Sequence, residues 1–124
     1  MQIPATLLKD YVNITTINQM FRNCPISRID SYTNIVLPGG TTKTFYFLEN
    51  LPTLTRISGL FNGVSILETL PEKLFYGLDI CENNGELITA NDVLKGCKAT
   101  SIDGNAENFM SSRFSTTLGF FSAS

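Results

Sequence analysis

The sequence predicts an α/β solenoid, in which short parallel strands alternate with helical or 3-10 turns and a β-hairpin is inserted. Three observations lead to this prediction: a gapless self-match at an offset of 40 residues, a smaller unit of about 13–14 residues within it, and a composition typical of folded chains. The chain has 124 residues, of which 43% are hydrophobic. This length suits a single repeat domain, residues 1–124, or a fragment of a longer repeat protein.

The self-match aligns residues 7–21 with residues 47–61. Apolar residues coincide at seven pairs of positions: Leu7/Phe47, Leu8/Leu48, Tyr11/Leu51, Ile14/Leu54, Ile17/Ile57, Met20/Leu60 and Phe21/Phe61. One such unit cannot bury its own apolar side, whereas adjacent units bury a continuous row of Ile, Leu and Phe side chains. An ordinary α+β domain with accidental self-similarity is the alternative interpretation.

The smaller unit has two apolar residues three positions apart, followed four positions later by a large apolar residue. Six short strands are therefore expected to pair in parallel: Ile14–Ile17, Ile26–Ile29, Leu54–Ile57, Leu67–Leu70, Leu87–Ala90 and Ala99–Ile102. The residues after them are expected to form helical or 3-10 turns. Phe21, Phe61 and Phe75 are predicted to be equivalent anchors in one buried column.

The segments that carry this pattern also resemble BspA-type leucine-rich repeats. They are Met20-Phe21-Arg22-Asn23-Cys24, Leu54-Thr55-Arg56-Ile57, Leu60-Phe61-Asn62-Gly63, Leu67-Glu68-Thr69-Leu70-Pro71-Glu72-Lys73-Leu74-Phe75 and Leu94-Lys95-Gly96-Cys97. Such repeats occur in bacterial surface proteins and in proteins of the phages that infect those bacteria. The resemblance covers most of residues 3–109 and implies a leucine-rich-repeat-like stack. It is specific for fold and weak for function, because a scaffold hosts many functions.

Two insertions and the tail depart from the pattern. Residues 31–46 are predicted to form a hairpin around Pro38-Gly39-Gly40, because Pro fixes φ and Gly accepts a positive φ. Loops on a rigid scaffold often carry binding specificity, although a decoration that merely caps an edge strand is the alternative. Residues 79–86 are predicted to be a solvated loop, since they lack the alternating oxygen ligands of a calcium loop. Residues 110–124 are predicted to be an irregular tail.

The composition disfavours several kinds of chemistry. The 9 Lys and Arg and the 11 Asp and Glu give a formal net charge of −2, which argues against nucleic acid as a partner. The chain has no histidine, which removes the commonest general base and transition-metal ligand. Cys24, Cys81 and Cys97 are an odd number without a Cys-x-x-Cys motif, which argues against disulfides and zinc. Cys24 and Cys97 are predicted to fill small buried slots, and Glu68 and Glu72 to be solvated. We expect no enzymatic activity, no cofactor and no metal.

The predicted function is a non-enzymatic binding or structural module of a phage virion, in a fibre, tail or head appendage that attaches to protein or to a host surface. A bacterial cell-surface or secreted adhesin domain is the alternative, and a carbohydrate-active enzyme domain is a remote one. The expected partners are other protein chains of an assembly, or a host-surface protein or glycan, without nucleic acid or membrane insertion. The absence of a visible signal peptide and the apolar C-terminus favour the virion. Candidate partner-contact residues lie in the hairpin and the tail: Tyr32, Asn34, Lys43, Phe45, Tyr46, Phe120 and Phe121.

Overall fold

The computed structural model describes residues 1–81 and 85–123. These residues form eight short strands and one four-residue helix. The elements are β1 (Gln2–Ile3), β2 (Arg28–Ile29), β3 (Tyr32–Val36), β4 (Thr42–Tyr46), β5 (Leu70–Pro71), α1 (Tyr76–Asp79), β6 (Ile88–Thr89), β7 (Ile102–Asp103) and β8 (Phe114–Thr116).

The predicted α/β solenoid, with its leucine-rich-repeat-like stack, is wrong. The described residues form a small, mostly-strand domain with four separate two-stranded sheets, almost no helix, and no closed or solenoid sheet. The pairs β1–β2, β5–β7 and β6–β8 are parallel and only two or three residues long, whereas β3–β4 is antiparallel with five residues in each strand. Within the self-match, strand pairing is reduced to single bridges, which join Thr16 to Arg56 and Arg56 to Thr89.

Left-handed backbone at recurring positions explains why the strands are so short. The φ angle is 57° at Gln19, 67° at Gly59, 58° at Asp92 and 66° at Gly119. A residue with such a φ turns the chain and belongs neither to a strand nor to an α-helix. The stubs that were expected to be helical or 3-10 are therefore turns, and α1 is the one helix among the described residues.

Four segments nevertheless bond to one another through the backbone, and we call residues 15–24, 55–64, 88–97 and 115–122 the four paired segments. Alternate N–H groups of each segment donate to carbonyl oxygens of the next. The first bonds of the three series are Ile17 to Arg56 at 2.9 Å, Ile57 to Thr89 at 3.0 Å and Ala90 to Thr116 at 2.9 Å. The tail is therefore not irregular, since β8 and the residues after it pair with residues 88–97.

Of the predicted column of Phe anchors, the contact between Phe21 and Phe61 is present, whereas the contact between Phe61 and Phe75 is not. The rings of Phe21 and Phe61 are stacked, with centroids 5.5 Å apart and planes at 10°. Phe75 does not join them. Its ring lies edge-on to three rings of the C-terminal region: Phe109, Phe114 and Phe120. The tail thus supplies part of the core, and Phe120 is only 3% exposed.

Arg113 is a buried side chain that connects distant parts of the chain. It is 6% exposed, and its guanidinium donates to four backbone carbonyl oxygens. The acceptors are Glu86 at 2.8 Å, Leu51 at 3.0 Å, and Leu54 and Leu78 at 3.1 Å. Burial lowers the pKa of Arg113, while the negative groups around it oppose that shift. The four carbonyl oxygens therefore replace the water molecules that would hydrogen-bond to the guanidinium of Arg113 if it were exposed.

Candidate binding surface

The hairpin formed by β3 and β4 lies within the predicted segment 31–46. Its register places Tyr32 opposite Tyr46 and Val36 opposite Thr42. The turn is closed by the N–H of Leu37, which donates to the carbonyl of Thr41 at 2.7 Å. Two glycines with positive φ, 96° at Gly39 and 89° at Gly40, form the tip. The antiparallel pair gives this loop a fixed backbone on which exposed side chains are held.

A buried carboxylate fixes the base of the hairpin. Glu49 is 8% exposed, and its carboxylate accepts a hydrogen bond from the N–H of Tyr46 at 3.2 Å. The same carboxylate forms an ion pair with the ammonium of Lys43. Lys43 also lies over the ring of Phe45, with its nitrogen 5.5 Å from the centroid. The position of Lys43 is therefore set by the hairpin base, and its charge is already partnered.

Three tyrosines gather where the hairpin meets α1, and we call Tyr32, Tyr46, Tyr76 and Lys73 the tyrosine patch. The ring centroids of Tyr32 and Tyr46 are 6.0 Å apart, and those of Tyr46 and Tyr76 are 4.7 Å apart in an edge-to-face arrangement. The ammonium of Lys73 lies 5.4 Å from the ring of Tyr76 and 6.0 Å from that of Tyr46. Such contacts order the rings before any partner arrives.

Gly77 permits the close approach of α1 to the strand that carries Tyr46. A Cβ atom at Gly77 would lie 2.1 Å from the carbonyl oxygen of Phe47 and 2.9 Å from the nitrogen of Glu49. Because both contacts are with backbone atoms, no side-chain rotation could relieve them. The absence of a side chain at Gly77 thus brings Tyr76 against Tyr46.

The structure separates the predicted contact residues into exposed and buried ones. Tyr32 is 56% exposed, Asn34 and Lys43 are exposed, and Tyr46 is half-buried. Phe45 and Phe120 are buried at 7% and 3% exposure, so their side chains belong to the core rather than to a contact surface. Phe121 is 60% exposed, but its ring contacts are with Phe109 and Phe120, and it is not part of the tyrosine patch.

Sequence reasoning missed Lys73 and Tyr76. Lys73 lies in the stretch that ends in the anchor Phe75, and Tyr76 follows this stretch directly. The repeat pattern predicts only core packing at these positions. The one local signal is the Tyr76-Gly77 pair, an aromatic residue followed by a residue that tolerates close backbone approach. Nothing in the sequence connects that pair with the hairpin about 30 residues earlier, because this contact depends on the tertiary fold.

Asp79, at the start of the second insertion, and two further acidic residues bond to residues about 30 positions later in the chain. The prediction for 79–86 falls partly on residues 82–84, which lie outside the described residues. The carboxylate of Asp79 accepts a hydrogen bond from the hydroxyl of Ser111 at 2.6 Å. Glu68 forms an ion pair with Lys98 at 2.8 Å, and Glu72 accepts the N–H of Asn105 at 2.8 Å. The described residues contain no group of three or more Cys, Asp or Glu side chains that could hold a metal ion.

The cysteine slots differ in how fully they are buried. Val64 is fully buried, whereas Cys24 and Cys97, at corresponding places in the paired segments, are half-buried against the core. Burial raises the pKa of the Cys97 thiol, and a backbone hydrogen bond at Ala99 opposes this only in part. A raised pKa keeps the thiol protonated near neutral pH and makes Cys97 a poor nucleophile.

No protein-family model, curated protein or solved structure matches this chain. The described residues contain no helix with the length and apolar character needed to cross a membrane.

Proposed function

We propose that this chain is a non-enzymatic binding module that contacts a protein partner through the tyrosine patch. The observation that supports the proposal is the fixed grouping of Tyr32, Tyr46 and Tyr76 around Lys73 at the base of a rigid hairpin. Tyrosine is enriched at protein interfaces because its ring buries a large area at a small entropic cost while its hydroxyl stays able to hydrogen-bond.

The charges of the patch define the partner's chemistry. Lys43 is neutralised by Glu49, whereas Lys73 forms no ion pair among residues 1–81 and 85–123. A partner that places an Asp or Glu carboxylate beside apolar side chains would therefore pair with Lys73 while covering Tyr32 and Tyr76. These two rings are 56% and 39% exposed, so each has surface left to bury.

The biological setting is a proposal that rests on the resemblance of the repeated segments to BspA-type repeats. On that basis we place the module in a phage virion, as part of a fibre, tail or head appendage, with a bacterial cell-surface adhesin domain as the alternative. Both settings use a stable scaffold to present a contact surface, and neither requires catalysis.

The proposal is tested with the double variant Tyr32→Ala/Tyr76→Ala. Biotinylated wild-type chain and variant are used to capture proteins from the source cells or particles, and captured proteins are identified by mass spectrometry. We expect a protein that binds the wild type and is lost, by at least tenfold, with the double variant. The matched control is Ile66→Ala, because Ile66 is 46% exposed and lies outside the hairpin, α1 and the four paired segments.

Two outcomes would contradict the proposal. If every captured protein binds the double variant and the wild type equally, the patch is not the contact surface. If the double variant loses binding to a glycan array but captures the same proteins, the patch recognises sugar and the partner class is wrong. Circular dichroism and melting temperature of each variant show whether a loss of binding reflects a loss of folding.

A further inference from the structure

The array of four paired segments has two outer edges, and these edges differ in the backbone groups that they leave without a partner. In every internal pairing, N–H groups of one segment donate to carbonyls of the next, always at alternate residues. The middle bonds of the three series are Gln19 to Ser58, Gly59 to Asn91 and Asp92 to Leu118, at 2.8 to 2.9 Å. Over residues 17–23, 57–63 and 90–96 the direction of these backbone bonds does not reverse, and the only bonds that run the other way among the described segments, from Thr55 to Thr15 and from Thr89 to Thr55, lie at the segment starts. Beyond those starts the first segment therefore keeps unused carbonyls on its outer side, and the last segment keeps unused N–H groups.

The unused groups on the two edges have the same spacing. Among residues 1–81 and 85–123, no backbone donor reaches the carbonyls of Asn18 and Met20, and no acceptor is reached by the N–H groups of Gly119 and Phe121. The corresponding groups inside the chain are all bonded. We call residues 15–24 the acceptor edge and residues 115–122 the donor edge.

Both edges also expose apolar side chains that the internal segments cover. At the donor edge Phe121 is 60% exposed, although the corresponding Phe61 and Leu94 are 0% and 3% exposed. Leu118 is 74% exposed. Its position corresponds to Ser58 and Asn91, which are polar and take part in hydrogen bonds between segments. An apolar residue at this place is unfavourable in water and suits a covered position.

The acceptor edge carries a complementary recess. An apolar groove of about 660 Å³ lies along it, and Tyr11, Ile14, Ile17 and Met20 are among the residues that line it. Tyr11 is 59% exposed and Met20 is 43% exposed, so the groove is open to a partner. A protruding Leu118 from another molecule, in the register of the internal pairs, would lie beside this groove.

We infer that the donor edge of one copy of this chain pairs with the acceptor edge of a second copy. Gly119 would donate to the carbonyl of Asn18 and Phe121 to that of Met20, which continues the internal series. This head-to-tail contact uses two different surfaces, so each added copy leaves both kinds of edge open and assembly proceeds beyond a dimer. The inference rests on the paired segments and is independent of the tyrosine patch.

The experiment uses one blocking variant at each edge, Leu118→Glu at the donor edge and Met20→Glu at the acceptor edge. Sedimentation velocity of the wild-type chain over a rising concentration series should show dimers and then larger species. Each variant alone should remain monomeric at every concentration, because a carboxylate cannot enter the apolar contact without a large desolvation penalty. The matched control, Val36→Glu, alters a 71% exposed residue of the hairpin and should assemble like the wild type.

Mixing the two variants distinguishes a head-to-tail contact from a symmetric one. A molecule with Met20→Glu keeps its donor edge, and a molecule with Leu118→Glu keeps its acceptor edge. Their equimolar mixture should therefore form 1:1 dimers and nothing larger, since both outer edges of that dimer are blocked. Three results would each overturn the inference. The wild type could stay monomeric at every concentration, the wild type could stop at the dimer, or the mixture of the two variants could stay monomeric.

A second pair of variants guards against misfolding. Phe121→Glu and Tyr11→Glu alter side chains that are 60% and 59% exposed, one at each edge. Melting temperatures are measured for all four variants. For each edge, the mixing experiment uses a variant whose melting temperature lies within a few degrees of that of the wild type. The same results as before would overturn the inference.

Discussion

Replacement of Arg113 tests whether a buried cation holds the fold together. In Arg113→Met, a side chain of similar length loses all four bonds to the carbonyls of Glu86, Leu51, Leu54 and Leu78. A hydrogen bond from a charged donor contributes about 1.5–3 kcal/mol, so four bonds set a ceiling of about 6–12 kcal/mol. Removing the charge also removes a desolvation cost of several kcal/mol.

The expected net loss follows from the groups that are left without partners. The carbonyl of Leu51 keeps its bond from the N–H of Leu54, whereas those of Leu54, Leu78 and Glu86 have no other backbone donor among the described residues. Each orphaned carbonyl costs about 1–3 kcal/mol if it is buried, and the relief of the charge offsets part of the sum. We therefore expect Arg113→Met to lower the free energy of unfolding by about 3–5 kcal/mol, a large part of the total of about 5–15 kcal/mol for a domain.

Urea denaturation of Arg113→Met and a control variant decides the matter. Arg56→Met makes the same substitution at an exposed residue whose side chain forms no hydrogen bond within the described chain, and should change stability by less than about 0.5 kcal/mol. Arg113→Lys keeps the charge but cannot span four acceptors, so it should also destabilise. Equal midpoints for Arg113→Met and Arg56→Met would refute the reasoning, as would a stable Arg113→Lys.

Four further predictions concern packing and reactivity. Phe120→Ala should lower the free energy of unfolding by about 3–5 kcal/mol, because it removes a buried ring. Leu118→Ala, at a 74% exposed site, should leave the free energy of unfolding of the dilute monomer nearly unchanged, and thermal melts compare the two variants. Gly77→Ala should lower the melting temperature and raise the fluorescence quenching of the patch tyrosines by iodide, since its Cβ would displace α1 from the carbonyl of Phe47. Cys97 should react with iodoacetamide more slowly than free glutathione at pH 8, and its rate should rise as pH approaches its raised pKa; mass spectrometry of the labelled peptide measures this. Cys97→Val should alter stability by less than about 1.5 kcal/mol.

The sequence pattern predicted contacts more accurately than it predicted the class of fold. The offset of 40 residues between Thr15 and Thr55 is the offset of an actual hydrogen bond, and Phe21 stacks on Phe61 as expected. Apolar periodicity identifies side chains that are buried together. It does not determine whether the backbone between them is a strand or a turn, and here left-handed residues limit the strands to single bridges.

The tail was misjudged because the spacing between paired segments is not constant. Ser58 and Asn91 are 33 residues apart, and Asn91 and Leu118 are 27 residues apart. A search at a fixed period cannot follow such shortening. In addition, the position that holds Ile17 and Ile57 in the first two segments holds Thr117 in the fourth, so the opening apolar signal is missing.

The hairpin was the easiest element to predict and the tyrosine patch the hardest, for the same physical reason. The turn at Gly39-Gly40 is specified by residues within a few positions of one another, and local backbone preferences suffice to indicate it. The patch needs Tyr76 to reach Tyr46 across the interior of the fold, with Gly77 providing the space. Contacts of this kind leave no periodic trace in the sequence.

The two proposals depend on different residues, and so they can fail separately. The tyrosine patch belongs to the hairpin and α1, whereas the edges belong to residues 15–24 and 115–122. A variant that blocks an edge, such as Leu118→Glu, should bind a single soluble partner as the wild type does. On a surface that presents many partners it should bind more weakly, because an assembly of copies engages several partners at once. If Leu118→Glu loses binding to the single soluble partner as well, the donor edge itself touches the partner, and the assignment of contact to the tyrosine patch alone is wrong.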